Sequence, residues 1–160
     1  MNVSKYDALK NRPYIGGGKC KDAFWRLLVK DVIQIGGHHS GVTQYRRVVP
    51  TDLRIFLREL GQQDGLHFAL PLSMADQRFF VTKRGFIGQG PVDVEIGDHV
   101  YVLFGSRVPF VLRPVDARSG APGTQHSRSF QYIGDAYVHG IMDGEALYDV
   151  EAPIEIVSLE

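Results

Sequence analysis

The residues best suited to chemistry lie in one short segment near the C-terminal end of the chain. Within YIGDAYVHGIMDGEAL (132–147), Asp135, His139, Asp143 and Glu145 place one imidazole among three carboxylates. A histidine beside carboxylates can transfer protons at neutral pH or bind a divalent ion. If the segment is a regular strand, Asp135 and His139 share a face, four residues apart. These residue types allow a hydrolase-like or metal site, or a polar recognition surface.

A structural explanation of the same residues is simpler. Asp143 can cap a short helix that runs through Glu145, whose charge suits a helix N-terminus. His139 can bond a backbone carbonyl within a sheet. A catalytic site should bring a nucleophile, a base and an orienting group together, and the chain contains no G-x-S-x-G, H-E-x-x-H or paired cysteine. We therefore predict no catalytic, cofactor-binding or metal residues, and a candidate interaction surface made of Arg84, Asp135, His139, Asp143 and Glu145.

Two other motifs resemble ligand sites only in outline. Gly16-Gly17-Gly18 has no preceding strand and no G-K-[ST] ending, so it is not a phosphate loop. His38 and His39 are adjacent and lack the ligand spacing of a zinc site, with Cys20 as the single cysteine. The segment 36–41 is accordingly predicted to be a solvated loop.

Short apolar runs closed by Gly, Pro or Asp surround the candidate surface. They are RFFVTKRGFIGQGP (78–91), GDHVYVLFG (97–105) and VPFVLRP (108–114), followed by a last strand over 154–159. Residues 99–104 are apolar on both faces, which predicts a strand buried on both sides. Gly105-Ser106 predicts a two-residue hairpin turn, and residues 114–128 a mobile loop. Because closure removes exposed edges, we expect a small antiparallel β-barrel of about six short strands.

Helical patterns precede these strands. Apolar residues at helical spacing predict one helix from Asp22 to about Ile33 and a second after Pro50, capped by Thr51 or Asp52 and ended by Gly61. The predicted fold is thus α+β, with an N-terminal layer of two or three helices on the barrel. Its divisions are a loose leader (1–19), a helical connector (20–77) and the barrel domain (78–160).

Composition limits the class of protein. The chain has 160 residues, no formal net charge and one cysteine, which is typical of one ordinary globular domain in a reducing compartment. No secretory signal or membrane span is visible, so the cytoplasm is expected and the nucleus stays open. Neutral charge disfavours nucleic acid as the main ligand. A small barrel could still bind strands through a basic patch made of Arg78, Lys83, Arg84, Arg107 and Arg113.

The order and spacing of the blocks over 78–147 resemble the C-terminal barrel region of fungal heterokaryon incompatibility (HET) domain proteins. The shared blocks are R-F-F-x-T-x-x-G-F-I-G-x-G-P, G-D-x-V-x-V-L-x-G, V-P-F-V-L-R-P and G-D-A-Y-V-H-G-I-M-D-G-E-A-L. The helix AFWRLLVKD (23–31) also resembles a family block, although Leu27 stands where Thr is usual. No counterpart of the family's N-terminal signalling domain is seen.

The resemblance implies a role for this chain without implying the family's signalling activity. We expect a non-enzymatic interaction or regulatory module that acts in fungal nonself recognition (vegetative incompatibility). Its expected partner is a protein, with full-length HET-family proteins as candidates. The rival hypotheses are the nucleic-acid module and the hydrolase-like or metal site at His139.

Overall fold

The computed structural model describes residues 11–35, 44–60, 76–115, 128–148 and 152–160. Within these ranges the chain forms two α-helices, nine strands and one 3₁₀ helix, so the fold is mixed α and β as expected. No helix in this part of the chain is long and apolar enough to cross a membrane. The expected loop over 36–41 and most of the expected mobile loop over 114–128 fall outside the described residues.

The first helix, α1, runs from Cys20 to Leu28, so the predicted extension to residue 33 was wrong. The Asp31 N–H donates to the Arg26 carbonyl at 2.7 Å, the bond that closes a helix through left-handed residues. Lys30 and Asp31 have φ values of 51° and 56°. Sequence patterns missed this end because glycine, the usual residue in that conformation, is absent.

A pair of strands and a second helix complete the N-terminal layer. Strand β1 (Val32–Ile35) pairs antiparallel with β2 (Gln44–Arg47), where a helix had been predicted to continue. Helix α2 (Pro50–Leu60) confirms the second predicted helix. Proline suits the first helical position because it needs no N–H partner there. The Asp52 carboxylate caps this end by accepting the Val49 N–H at 2.8 Å.

The strands that follow form two larger sheets. The first is antiparallel and has β4 (Ile87–Pro91) between β3 (Gln77–Val81) and β8 (Tyr137–Val138). The second has the order β5-β6-β7-β9. Its members are β5 (His99–Tyr101), β6 (Phe110–Pro114), β7 (Arg128–Asp135) and β9 (Val157–Leu159). Strand β9 runs parallel to β7, whereas the other pairs are antiparallel. The last strand, predicted over 154–159, covers only Val157–Leu159, and the sheet that receives it is not wholly antiparallel.

Strand β5 is shorter than predicted. It covers three of the six residues expected over 99–104, and Phe104 is 76% exposed instead of buried. The Ser106 N–H donates to the Leu103 carbonyl at 3.0 Å, so a turn does form near the predicted position. The next strand resumes only at Phe110, which makes the connection longer than a two-residue hairpin.

The chain crosses between the two sheets at Ala136, which separates β7 from β8. A core cluster lies around this crossing. It consists of Val94, Val111, Ala136 and Val138, with Phe80, Phe86, Val100, Ile133 and Ile141 packed against it. The strands in the described ranges form three separate sheets and no closed ring, so the predicted barrel closure is not seen there.

Candidate functional site

Residues 139–147, which follow β8, form a turn region that we call the corner. Residues 11–18, which we call the strap, lie against it. Tyr14 is buried within it, with 7% of its surface exposed. The Tyr14 hydroxyl donates to the His139 carbonyl at 2.8 Å and accepts the Ile87 N–H at 2.9 Å. The leader that we expected to be loose is therefore packed against the strands in its described part.

Aromatic stacking and a close backbone approach complete this contact. The rings of Tyr14 and His139 are stacked, with centroids 5.3 Å apart and planes 27° apart. A Cβ placed on Gly16 would lie 2.9 Å from the Gly140 Cα, and Gly140 itself has a φ of 91°. Glycine is required on both sides, because a side chain would separate the two backbones.

His139 has a phenol as its hydrogen-bond partner. The Tyr137 hydroxyl lies 2.9 Å from His139 Nδ1. Burial raises the pKa of Tyr137, so this hydroxyl keeps its proton at neutral pH and we assign it as the donor to Nδ1. Burial also lowers the pKa of His139 below its ordinary value of 6.5. The imidazole is accordingly neutral at pH 7 and carries its hydrogen on Nε2.

A chain of alternating charges connects the corner to the N-terminal layer. Arg26 pairs with Asp31 and donates to the Val48 carbonyl at 2.8 Å. Arg47 lies 3.5 Å from Asp31 and also pairs with Asp143. The Arg26 and Asp31 side chains are only 22% and 13% exposed, so their pairing is less screened than a surface ion pair. These contacts fix the corner relative to α1 and β2.

A cleft of about 240 Å³ opens where the strap meets the corner, and we call it the corner cleft. Its walls are mainly apolar, and Glu145 is the charged residue among them. The lining residues are Ile15, Gly16, Phe86, Gly140, Ile141, Glu145 and Ala146. The Arg84 guanidinium lies over the Phe86 ring, 5.8 Å from its centroid. The cleft can thus receive an apolar side chain between groups of opposite charge.

The structure gathers four of the five candidate surface residues around this corner and separates the fifth. Glu145 lines the corner cleft, and Arg84 lies over its Phe86 wall. The His139 carbonyl accepts the Tyr14 hydroxyl, and Asp143 pairs with Arg47. Asp135 instead ends β7 in the other sheet, where it accepts the Tyr132 hydroxyl at 2.5 Å. The expectation that Asp135 and His139 share one strand face was wrong, because the chain changes sheets between them.

Asp143 also has a different role from the predicted helix cap. The 3₁₀ helix runs from Glu145 to Tyr148, and the Glu145 carboxylate accepts the Asp143 N–H at 2.7 Å. The Asp143 carboxylate pairs with Arg47 instead. Glu145 therefore stabilises the turn before the helix, and Asp143 connects the corner to β2.

The chemistry of the corner differs from that of a hydrolytic or metal site. A catalytic histidine is commonly oriented by a carboxylate, whereas His139 Nδ1 is bonded to Tyr137. In the described ranges, no three His, Cys, Asp or Glu side chains cluster closely enough to hold a metal ion. His38 and His39 lie outside those ranges.

The five cations of the nucleic-acid hypothesis do not act as one patch. Arg78 donates to the Val94 carbonyl at 2.6 Å. Arg113 is held by the Asp98 carboxylate, with Nε 2.8 Å from Oδ1. Two of the five cationic side chains therefore bind within the domain, which leaves fewer cations for a phosphate backbone.

Sequence patterns missed the partners that surround His139. Tyr14 lies 125 residues before His139, and Arg47 lies 96 residues before Asp143. Neither tyrosine nor arginine at those positions forms a local motif. The one available signal was Tyr14 itself, an aromatic residue next to three glycines in an otherwise polar leader.

The fold and the corner define a small, strand-rich domain with a helical N-terminal layer and a mainly apolar cleft. Residues 51–152 match the Het-6 beta-barrel domain, and the chain belongs to this family. The resemblance drawn from residues 78–147 is thereby confirmed.

One curated relative is heterokaryon incompatibility protein 6, OR allele, of Neurospora crassa. It is 36% identical to this chain over 72 residues, which cover 45% of the chain and 10% of the relative. The chain thus matches about a tenth of the length of this relative. No solved structure matches the chain.

Proposed function

We propose that this chain is a non-enzymatic interaction module in fungal heterokaryon incompatibility and that it recognises a protein partner at the corner cleft. Family membership and the similarity to a heterokaryon incompatibility protein support the biological setting. The cleft is the observation that supports recognition, because it is a mainly apolar opening that has Glu145, a residue predicted from the sequence, on its lining and Arg84 over its Phe86 wall. The expected site of action is the cytoplasm, and the nucleus is the second compartment to examine.

The composition of the cleft suits a protein side chain. Ile141, Phe86 and Ile15 offer apolar walls, and burial of apolar surface contributes about 25 cal/mol per Å². Glu145 on the lining and Arg84 over Phe86 place both charge signs close to that surface. A polar rim around an apolar centre is the usual arrangement of a protein–protein interface. A full-length protein of the heterokaryon incompatibility class is the partner that the relative's name favours.

The first test is binding between purified proteins. Full-length heterokaryon incompatibility protein 6, OR allele, is immobilised, and binding of this chain is measured by surface plasmon resonance. We expect Glu145→Lys to weaken binding by at least about tenfold, since it reverses the charge on the lining of the cleft. Glu160→Lys, an exposed residue of the same type at the far end of the chain, makes the same net charge change and should bind as the native protein does.

The same variants should then be expressed in Neurospora crassa strains that carry this allele, with growth of the heterokaryon as the measurement. We expect the native chain and Glu160→Lys to change the growth of the heterokaryon, and Glu145→Lys to have no effect. Equal binding by both variants would contradict a partner site at the cleft. Turnover of a small molecule by the purified chain would overturn the non-enzymatic assignment.

A further inference from the structure

Strand β3 forms the outer edge of its sheet in the described part of the chain. It pairs with β4 on one side, and within the described ranges neither a strand nor another backbone group pairs with its other side. Such an edge presents a row of unpaired N–H and C=O groups, and proteins commonly protect it with proline, charge or a bulge. Residues 79–81 contain neither charge nor proline, and their register with β4 is unbroken.

The hydrogen bonds of β4 show which backbone groups lie on this outer edge. Ile87 directs its backbone groups away from β3, because its carbonyl accepts the His139 N–H at 3.0 Å and its N–H donates to a tyrosine hydroxyl. Val81 is paired with Ile87, and the two residues of an antiparallel pair either bond each other or both point away. The N–H and C=O groups of Val81 therefore point outward, and by the same alternation so do those of Phe79 and Gln77.

The side chains along this edge are apolar and exposed. Phe79 is 44% exposed and Val81 is 70% exposed. Both lie on the face opposite Phe80, whose ring packs against the core cluster. A strand that has unpaired backbone groups beside exposed apolar side chains can bind one more strand.

The edge is complementary to itself when two copies are related by a two-fold axis that passes beside Phe79. In this antiparallel arrangement Phe79 faces its own counterpart, and Gln77 faces Val81 of the second copy. Outward-pointing residues of one copy then face outward-pointing residues of the other, so each pair can exchange both of its backbone hydrogen bonds. The two Phe79 rings also lie beside each other, and aromatic cross-strand pairs stabilise a sheet.

Charges at the two ends of the strand favour the same arrangement. The exposed Asp76 precedes β3, and the exposed Lys83 and Arg84 follow it. Because the two copies run in opposite directions, Asp76 of each copy faces Thr82 of the other and lies next to the basic turn of that copy. Opposite charges therefore meet at both ends of the contact, whereas a parallel arrangement would bring like charges together.

We propose that β3 is a self-association edge, through which two copies of this chain join their three-stranded sheets into one sheet of six strands. The strand order is β8-β4-β3 in one copy, and it continues in reverse through the second copy. One short strand from each copy is a small contact, so we expect a weak dimer that forms at micromolar or higher concentrations. This inference goes beyond the proposed partner site and does not depend on it.

The first test measures self-association by sedimentation equilibrium from micromolar to millimolar concentrations. Phe79→Lys places two like charges beside the two-fold axis, and we expect it to weaken association by at least about tenfold, as Phe79→Glu should. A mixture of the two variants sets Lys against Glu and should restore association, which variants that fail to fold could not do. Tyr45→Lys changes a 65% exposed aromatic residue on an edge strand of another sheet. This matched control should associate as the native chain does.

The second test locates the contact by amide hydrogen exchange at concentrations below and above the dissociation constant of the dimer. The outward-pointing amides of Phe79 and Val81 should exchange rapidly in the monomer and become protected in the dimer. The amides of Arg78 and Phe80 point toward β4. They should be protected at both concentrations, so they serve as internal controls.

The proposal is wrong if the chain stays monomeric at millimolar concentrations. A dimer that persists in Phe79→Lys, or one that the mixture of charged variants fails to restore, would exclude this edge as the contact. Equal protection of Phe79 and Val81 in monomer and dimer would show that the same chain covers the edge, which also overturns the proposal. These tests use this chain alone, so they can fail while binding of a partner at the corner cleft still occurs.

Discussion

At the scale of single residues, Gln89 is unusual because its side chain lowers the stability of the folded domain. It is 1% exposed in the middle of β4, and neither end of its amide has a hydrogen-bond partner among the described residues. It pairs across the sheet with Tyr137, so it lies on the face toward α1 and not among the core cluster. A buried polar group without a partner costs about 1–3 kcal/mol. The buried Gln89 amide therefore lowers the free energy of unfolding of the domain.

Removing this amide should stabilise the domain. Gln89→Met keeps the length of the side chain and replaces its polar end, and we expect the free energy of unfolding to rise by about 1–2 kcal/mol. Gln131→Met, on an exposed position of β7, should change it by less than about 0.5 kcal/mol. Urea denaturation of the three proteins measures the difference. A less stable Gln89→Met would show that the amide makes a favourable interaction after all.

At the scale of elements, one ion pair connects β6 to the turn before β5. Arg113 Nε and Nη2 lie 2.8 and 3.0 Å from the two Asp98 oxygens. Asp98 also accepts the Glu95 N–H at 2.8 Å, and only 4% of its side chain is exposed. A two-pronged contact with a buried carboxylate is stronger than a single surface pair. This pair therefore holds the turn in the position that starts β5.

Breaking this pair from the arginine side should destabilise the domain strongly. Arg113→Met leaves the Asp98 charge buried and unpaired, and we expect a loss of about 2–4 kcal/mol in the free energy of unfolding. Arg128→Met is the comparison, because Arg128 is 71% exposed and 3.8 Å from Glu155. That change should cost less than about 1 kcal/mol. Thermal and urea unfolding measure both variants, and equal losses would contradict the special role of Asp98.

The elements that sequence patterns predicted well are those whose signals are local. Helix α2 has proline at its start and Asp52 in its first turn, so its beginning was visible. The end of α1 was not, because Lys30 takes the left-handed conformation without being glycine. Strand β5 was overextended since apolar residues such as Phe104 continue into an exposed loop. The crossing at Ala136 was missed because the extended pattern over 129–141, although interrupted at Gly134 and Gly140, contains no local sign of a change of sheet.

At the scale of the whole molecule, the family and the strand-rich character could be predicted, but the arrangement of sheets could not. The order of blocks over 78–147 identified the family. The parallel pairing of β9 with β7 depends on contacts between distant segments. The candidate site shows the same limit: His139 and Glu145 were found from one segment, whereas Tyr14 and Arg47 reach it from the other end of the chain. These residues are brought together by the packing of the N-terminal segments, which no local sequence pattern predicts.

The stability of the whole domain should fall in two steps as the pH is lowered. Burial lowers the pKa of His139 below 6.5, so its contribution is complete above pH 6.5 and is lost as the pH falls through the folded value. The hydrogen bond from Arg46 lowers the pKa of Asp52 below its ordinary value of 3.8. For Asp98, burial acts in the opposite direction, but the bonds from Arg113 and the Glu95 N–H outweigh it, and its pKa is also lowered. The two carboxylates therefore keep their contribution down to about pH 4 and lose it below.

Melting temperatures measured between pH 8 and pH 3 test this expectation. The native chain should show a first decline below pH 6.5 and a second below about pH 4. His139→Gln should remove the first decline and keep the second, because it removes the ring that titrates and leaves both carboxylates in place. Asp98→Asn should lower the melting temperature at neutral pH and make the second decline shallower. If the first decline persisted in His139→Gln, a group other than His139 would be responsible for it.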